Sequence, residues 1–209
     1  MEIHDMPKIE CPFIRVKFPD GRYLVTPKIN PGYEWVFTDD SVMAIEKLHG
    51  TNVSILIEHG QITQMWNRTT RLPFFNSGKK FITEGLLNSH ERGYMEFLHD
   101  GQSFGELLGP KVNGNPYKLK EHIWIPFGTF AVKHLHYKSW GKYPKDYDTL
   151  SIWFKEDLIP LYACMVQGSD ARKTGFVEGI VFTHPDGRMA KLRRDMFEWY
   201  SGQQHKEVN

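Results

Sequence analysis

Lys47, in the stretch EKLHGTN (Glu46–Asn52), sits where a lysine could act as a nucleophile. It follows the apolar run Val42–Ile45 and precedes a Gly-Thr turn, a setting in which partial burial is expected. A lysine amine attacks only when neutral, and its ordinary pKa is about 10.4. A nucleophilic lysine therefore needs desolvation or neighbouring positive charge. Other segments offer the partners. SFGELLGP places Glu106 between an aromatic residue and two glycines, and EGIVF places Glu178 at the start of an apolar strand. MAKLRR places Lys191 and Arg193 two apart, hence on one face of a strand. One hairpin separates Glu178 from Lys191, so the sequence predicts near cross-strand neighbours.

These residues need strands to present them. Alternation predicts strands over 42–47, 52–58 and 61–67, with His59-Gly60 as a hairpin turn. It predicts an N-terminal strand pair, 13–18 and 23–27, around Pro19-Asp20-Gly21, and a C-terminal hairpin, 179–183 and 188–192, around His184–Gly187. Strands over 103–108 and 123–132, a helix over 80–98 and a short closing helix over 195–200 complete the pattern. Residues 147–166 are mixed in character. Strands dominate and the helices fall out of step with a βαβ rhythm, which predicts an α+β fold with largely antiparallel sheets and flanking helices. No repeat or linker divides the chain, so residues 1–209 read as a single domain.

Composition bounds the function. Hydrophobic residues are 40% and charged residues 24% of the 209, ordinary for a globular protein, and the formal net charge is +1. The total charge does not announce a nucleic-acid binder, although it conceals how charge is distributed. The aromatic share of 14% serves either a core or base stacking. Two distant cysteines, Cys11 and Cys164, argue against a zinc site and a disulfide scaffold. No apolar run approaches the ~20 residues of a membrane helix, and MEIHDMPKIE lacks a signal-peptide core. The expectation is a cytoplasmic protein with no membrane partner. His134 and His136 fit strand alternation better than metal ligation.

The ordered set of motifs resembles the covalent nucleotidyltransferases, which comprise ATP-dependent DNA and RNA ligases and capping guanylyltransferases. Within these it most resembles the RNA-ligase-2-like group. EKLHGTN resembles the nucleophile motif, with His49 where DNA ligases usually carry Asp. NRT, FGELLGP, FGTFAV, EGIVF and AKLR follow in order between about residues 40 and 195. The resemblance implies the ATP-grasp-like adenylation fold and an ATP-dependent ligase that joins 5′-phosphate and 3′-OH ends through lysyl-AMP. It makes Lys47 the nucleophile, with Lys191 and Arg193 on the α-phosphate and His49 and Asn52 near the phosphates or the 3′-OH step. Glu46 would lie near adenine, Arg68 would contact the nucleotide and Glu106 the ribose. Phe130, on a strand, would stack on the base. Glu178 would hold Mg²⁺ or Mn²⁺. The implied partner is RNA with nicked or broken strands, or an RNA–DNA or DNA substrate, acted on by a monomer, with virus or phage origin and action in a host cytoplasm as one setting. The alternatives are a DNA ligase core and a non-catalytic nucleic-acid-binding module. Thr183 stands where the group often has a lysine, and Ala131 where an acidic residue often follows the aromatic. The chain would be an adenylation domain without the OB-fold or helical domain that follows in most relatives. The first 40 residues acquire no role from the sequence.

Overall fold

In a computed structural model, residues 2–75 and 77–202 are described. The chain forms two compact units, one built from Lys8–Leu48 and the residues from His134 onward, the other from the segment ending at Pro7 and from His49–Lys133. The chain enters the first with β1 (Phe13–Lys17) and β2 (Tyr23–Ile29), an antiparallel pair, then a helical turn α1 (Trp35–Thr38) and β3 (Met43–Lys47).

At His49 it passes into the other unit. There β4 (Thr51–Glu58), β5 (Gln61–Asn67), β6 (Thr70–Leu72), helix α2 (Lys80–Glu91), β7 (Gly101–Leu108) and β8 (Ile123–Pro126) follow. The strands form one sheet in the order β6-β5-β4-β7-β8. The β4–β5 turn has left-handed backbone at both His59 (φ 55) and Gly60 (φ 72), as a two-residue hairpin that matches strand twist requires. Asp100 accepts both turn amides, at 2.8 and 2.9 Å. Val53, Ile55, Ile82, Leu86 and Trp124 make this unit's core.

Helix α3 (Thr129–His134) leads back, and α4 (Tyr147–Ile152), a π turn (Trp153–Asp157), α5 (Leu161–Gln167), β9 (Gly179–Thr183) and β10 (Met189–Arg193) complete the first unit. Asp146 caps α4 by accepting from Thr149 N at 2.9 Å. The sheet order is β10-β9-β3. Its core is aromatic: Trp140 packs on Trp153 at 6.1 Å and Phe182 at 4.8 Å, and Phe154 on Phe197 at 5.3 Å. Every ladder between the named strands is antiparallel, as the alternation predicted.

Three expected elements differ. The strand over 123–132 stops at Pro126; Gly128 takes φ +78 and the chain turns into α3, so Phe130 lies on a helix. The helix over 80–98 ends at Glu91. Gly93 (φ 71) forms a glycine C-terminal cap, its N–H bonding His90 O at 3.0 Å and Tyr94 N–H bonding Ser89 O at 3.0 Å. The closing helix over 195–200 is a single 3₁₀ turn, Arg194–Met196, after which Phe197 is extended and buried. Among the described residues no helix is long and apolar enough to cross a membrane.

Candidate active site

The β10-β9-β3 sheet has one dry face and one polar face. Pleating sends alternate side chains to opposite sides, and the register defines the rows. Ala44, Phe182 and Ala190 face the core together, as do Glu46, Ile180 and Leu192. On the other face Lys47, Gly179 and Arg193 form one row, and Ile45, Val181 and Lys191 the next.

Glu178, immediately before β9, closes the polar cluster. Its Oε2 lies 2.9 Å from Lys47 Nζ, with 24% and 12% of the Lys47 and Glu178 side chains exposed. Its Oε1 lies 3.8 Å from Arg193 Nη1, and Arg193 Nε lies 3.1 Å from Asp195. The sequence placed Glu178 beside Lys191. The hairpin register instead sets Val181 opposite Lys191, because the loop is centred on Asp186, and the Glu178 carboxylate reaches Lys47. Burial, then the charges of Lys47 and Arg193, hold the Lys191 ammonium pKa below its ordinary value. Lys191 N–H also donates to Glu10 O at 2.8 Å, which ties β10 to the chain ahead of β1.

Glu46 belongs to the dry face. It is 2% exposed, and its Oε2 accepts from Tyr162 N, in the first turn of α5, at 2.8 Å. Burial pushes its carboxyl pKa up to about 8, against the pull of the Tyr162 and Leu161 amides.

In the other unit the rest of the motif is held by its backbone. His49 N–H donates to Tyr117 Oη and Gly50 N–H to Glu106 Oε1, each at 2.9 Å. Gly50 O accepts from Asn113 Nδ2 at 2.6 Å. A side chain at residue 50 would strike the Leu107 carbonyl oxygen, which is why the turn needs glycine. Asn52 pairs with Glu106 across β4 and β7. Its Nδ2 reaches Met6 Sδ at 3.5 Å, and its buried Oδ1 has no partner among the described residues. Arg68 is exposed on the β5–β6 turn with φ 53. Phe130 is 6% exposed and packs on Tyr94 at 4.5 Å.

The family model for RNA ligases matches residues 40–198, a span that contains every candidate residue from Glu46 to Arg193. The chain belongs to the RNA ligase family. A search of curated proteins gave no match. Among solved structures it is similar to Naegleria gruberi RNA ligase. An arginine-to-alanine mutant of that ligase with ATP and Mn is 15% identical, covering 92% of this chain and 62% of that one, with a TM-score of 0.46. A glutamate-to-alanine mutant with ATP and Mn is 14% identical, covering 88% and 59%, with a TM-score of 0.49. A lysine-to-alanine mutant without ligand is 17% identical, covering 73% and 49%, with a TM-score of 0.43. The chain spans about half the length of several of the solved ligase chains it matches.

Two residues of this RNA ligase family member escaped the sequence reading. Tyr117 and Asn113 grip the backbone of His49 and Gly50 from a loop with left-handed Asn113 (φ 43), Asn115 (φ 51) and Lys118 (φ 51), a region without periodicity. Thr183 sits between Met43 and Met189 in the ladder. Arg188 is engaged by Asp186 at 2.8 Å and by the Trp35 ring at 4.9 Å. Gly179 is the floor between Lys47 and Arg193, where a Cβ would meet the Leu192 carbonyl oxygen and Arg193 Cα. Gly179→Ala should therefore lower stability by about 2–3 kcal/mol, read as a reduced urea midpoint with an unchanged slope.

Proposed function

We propose that this chain is an ATP-dependent RNA ligase whose first step is adenylation of Lys47. The observation that carries the reading is the convergence, on one face of β3-β9-β10, of Lys47, Glu178 and Arg193, with Lys191 one row away, inside the span matched by the RNA ligase family.

Lys47 Nζ, as the neutral amine, attacks the α-phosphorus of ATP. A P–N bond forms, the P–O bond to pyrophosphate breaks, and the amine loses a proton. A 5′-phosphate oxygen of the RNA then attacks the same phosphorus, returning the electron pair of the P–N bond to Lys47. The 3′-oxygen of the second end next attacks the 5′-phosphorus and expels AMP. Lys191 and Arg193 are cations placed to meet charge as it develops on the phosphoryl oxygens, where preorganised donors act most strongly.

Among the described residues no group of three or more His, Cys, Asp or Glu could cage a metal. Glu178, whose carboxylate lies 2.9 Å from Lys47, would offer oxygen to a hard cation such as Mg²⁺ or Mn²⁺ that keeps several waters. Such a cation, when bound, offsets phosphate charge and orients the leaving group. The unpartnered Oδ1 of Asn52 fits a hydroxyl donor of a nucleotide or of the 3′ end, since a buried acceptor left unpaired costs about 1–3 kcal/mol. Glu106 would share that role from the paired strand, with His49, Arg68 and Phe130 of the same unit as further candidates for nucleotide and 3′-end contacts.

Incubation with α-labelled ATP and a divalent cation, followed by denaturing electrophoresis, tests the reading. Label should remain on the protein and pass to a 5′-phosphorylated RNA when that is added. Label from GTP and none from ATP would replace ligation by capping chemistry. Transfer to DNA ends but never to RNA ends would replace RNA ligation by DNA ligation.

A further inference from the structure

The first 40 residues, silent in the sequence, build one wall of a groove within the unit that carries Lys47. The groove, of about 790 Å³, starts at Arg193 and is walled by the β1–β2 hairpin through Arg15, Arg22 and Tyr23 and by the chain after β10 through Trp199 and Tyr200. We infer that it holds the sugar-phosphate backbone of the strand that carries the 5′-phosphate, just beyond that phosphate. The inference rests on the adenylation reading only for the direction of the strand.

The groove combines the two features that hold single strands without sequence preference: guanidinium groups along the backbone path and aromatic faces for bases. Arg15 lies over the Tyr23 ring at 6.0 Å and is loosely paired with Glu10 at 3.8 Å. Arg22 pairs with Asp20 at 2.7 Å and donates to Tyr200 O at 3.4 Å. That contact ties the hairpin to the opposite wall. Tyr23 is 53% exposed, so its ring can receive a base. Trp199 is a fixed platform, stacked on Phe197 at 5.3 Å and 16°, with its Nε1 donating to Ser151 Oγ at 2.9 Å. Two carboxylates, Asp195 and Glu198, also line the groove, and Asp195 is already paired with Arg193. They repel phosphate on their side and favour a backbone path along Arg15 and Arg22. Arg193 is common to the groove and to the Lys47 row. A phosphate at that row therefore leaves its following nucleotides at the groove's mouth.

The experiment compares wild type with Arg15→Ala/Arg22→Ala and, separately, Tyr23→Ala, by anisotropy of a short 5′-phosphorylated RNA across a salt series. α-Label from ATP is measured in parallel. The double variant should bind about tenfold more weakly, with a salt slope shallower by about 1.4, as expected for losing two single-strand phosphate contacts. Tyr23→Ala should weaken binding several-fold and leave the slope unchanged. Both should keep wild-type label on Lys47, because neither touches the amine or its partners. Wild-type affinity and slope in both variants, or no RNA binding by the wild type, would overturn the groove. Absence of label in the wild type, with the loss of binding still seen, would strike the adenylation reading and leave the groove standing.

Discussion

Lys47→Ala should carry no label from α-labelled ATP, a loss of at least about a thousandfold, because the atom that forms the bond is gone. Lys47→Arg should fail as completely. A guanidinium does not deprotonate in proteins and has no lone pair to give. Folding should survive both changes. Lys47 lies on the polar face, away from the aromatic core, and Glu178 keeps Arg193 at 3.8 Å. The stability change from Lys47→Ala should be about 1–2 kcal/mol, the cost of leaving a half-buried carboxylate short of one donor. Lys191→Ala is the informative companion. It leaves the nucleophile and removes only a cation one row away, so label should accumulate slowly rather than vanish. Equal, total loss in Lys191→Ala would assign Lys191 a larger share of the bond-forming step than its row position implies. Label that persists in Lys47→Ala would remove Lys47 from the chemistry.

The parts of this site that were legible in the sequence are those governed by a period of two. Lys191 and Arg193 do share a face, and the strands around EKLHGTN fall within a residue or two of where alternation put them. The partner of Glu178 was misread because alternation assigns a face and not a register. Register depends on the turn, and the turn here is centred on Asp186. The run IWIPFGTFAV is apolar throughout, so periodicity cannot separate strand from helix there, while Pro126 and Gly128 mark the break. ERGY carried the stop signal for α2, since a glycine at the left-handed position ends helices. Tyr117 and Asn113 left no trace, because a loop that grips a backbone N–H and C=O has no period. The high aromatic share reads as core in one unit, through Trp140, Trp153, Phe154 and Phe182. In the groove beside Arg193 it reads as surface.

The stability of this protein should fall as pH rises from about 5 to about 8, and Glu46 should be a principal cause. In the folded chain burial pushes its carboxyl up to about 8, whereas the unfolded chain returns it to an ordinary value near 4.5. Between those values the native state holds a proton that the unfolded state has released. Stability therefore declines with rising pH, by up to about 1.4 kcal/mol per unit, and the decline is complete above the folded value. Glu46→Gln keeps a side-chain oxygen for Tyr162 N–H and removes the titration. The variant should match wild type near pH 5 and exceed it increasingly toward pH 8, with urea midpoints as the measure. Other groups contribute their own slopes in this window, among them His136, whose imidazole burial holds below its ordinary value, so the difference between the two proteins is the quantity to read. Parallel midpoints across the range would show that Glu46 ionises in the fold without penalty. Label from ATP adds a second axis. If Glu46 only anchors α5 behind Lys47, the Gln variant adenylates as wild type does. If its carboxylate also meets the nucleotide, stability rises while labelling falls, and the buried acid is then a group whose cost to the fold is retained for its contact with ATP.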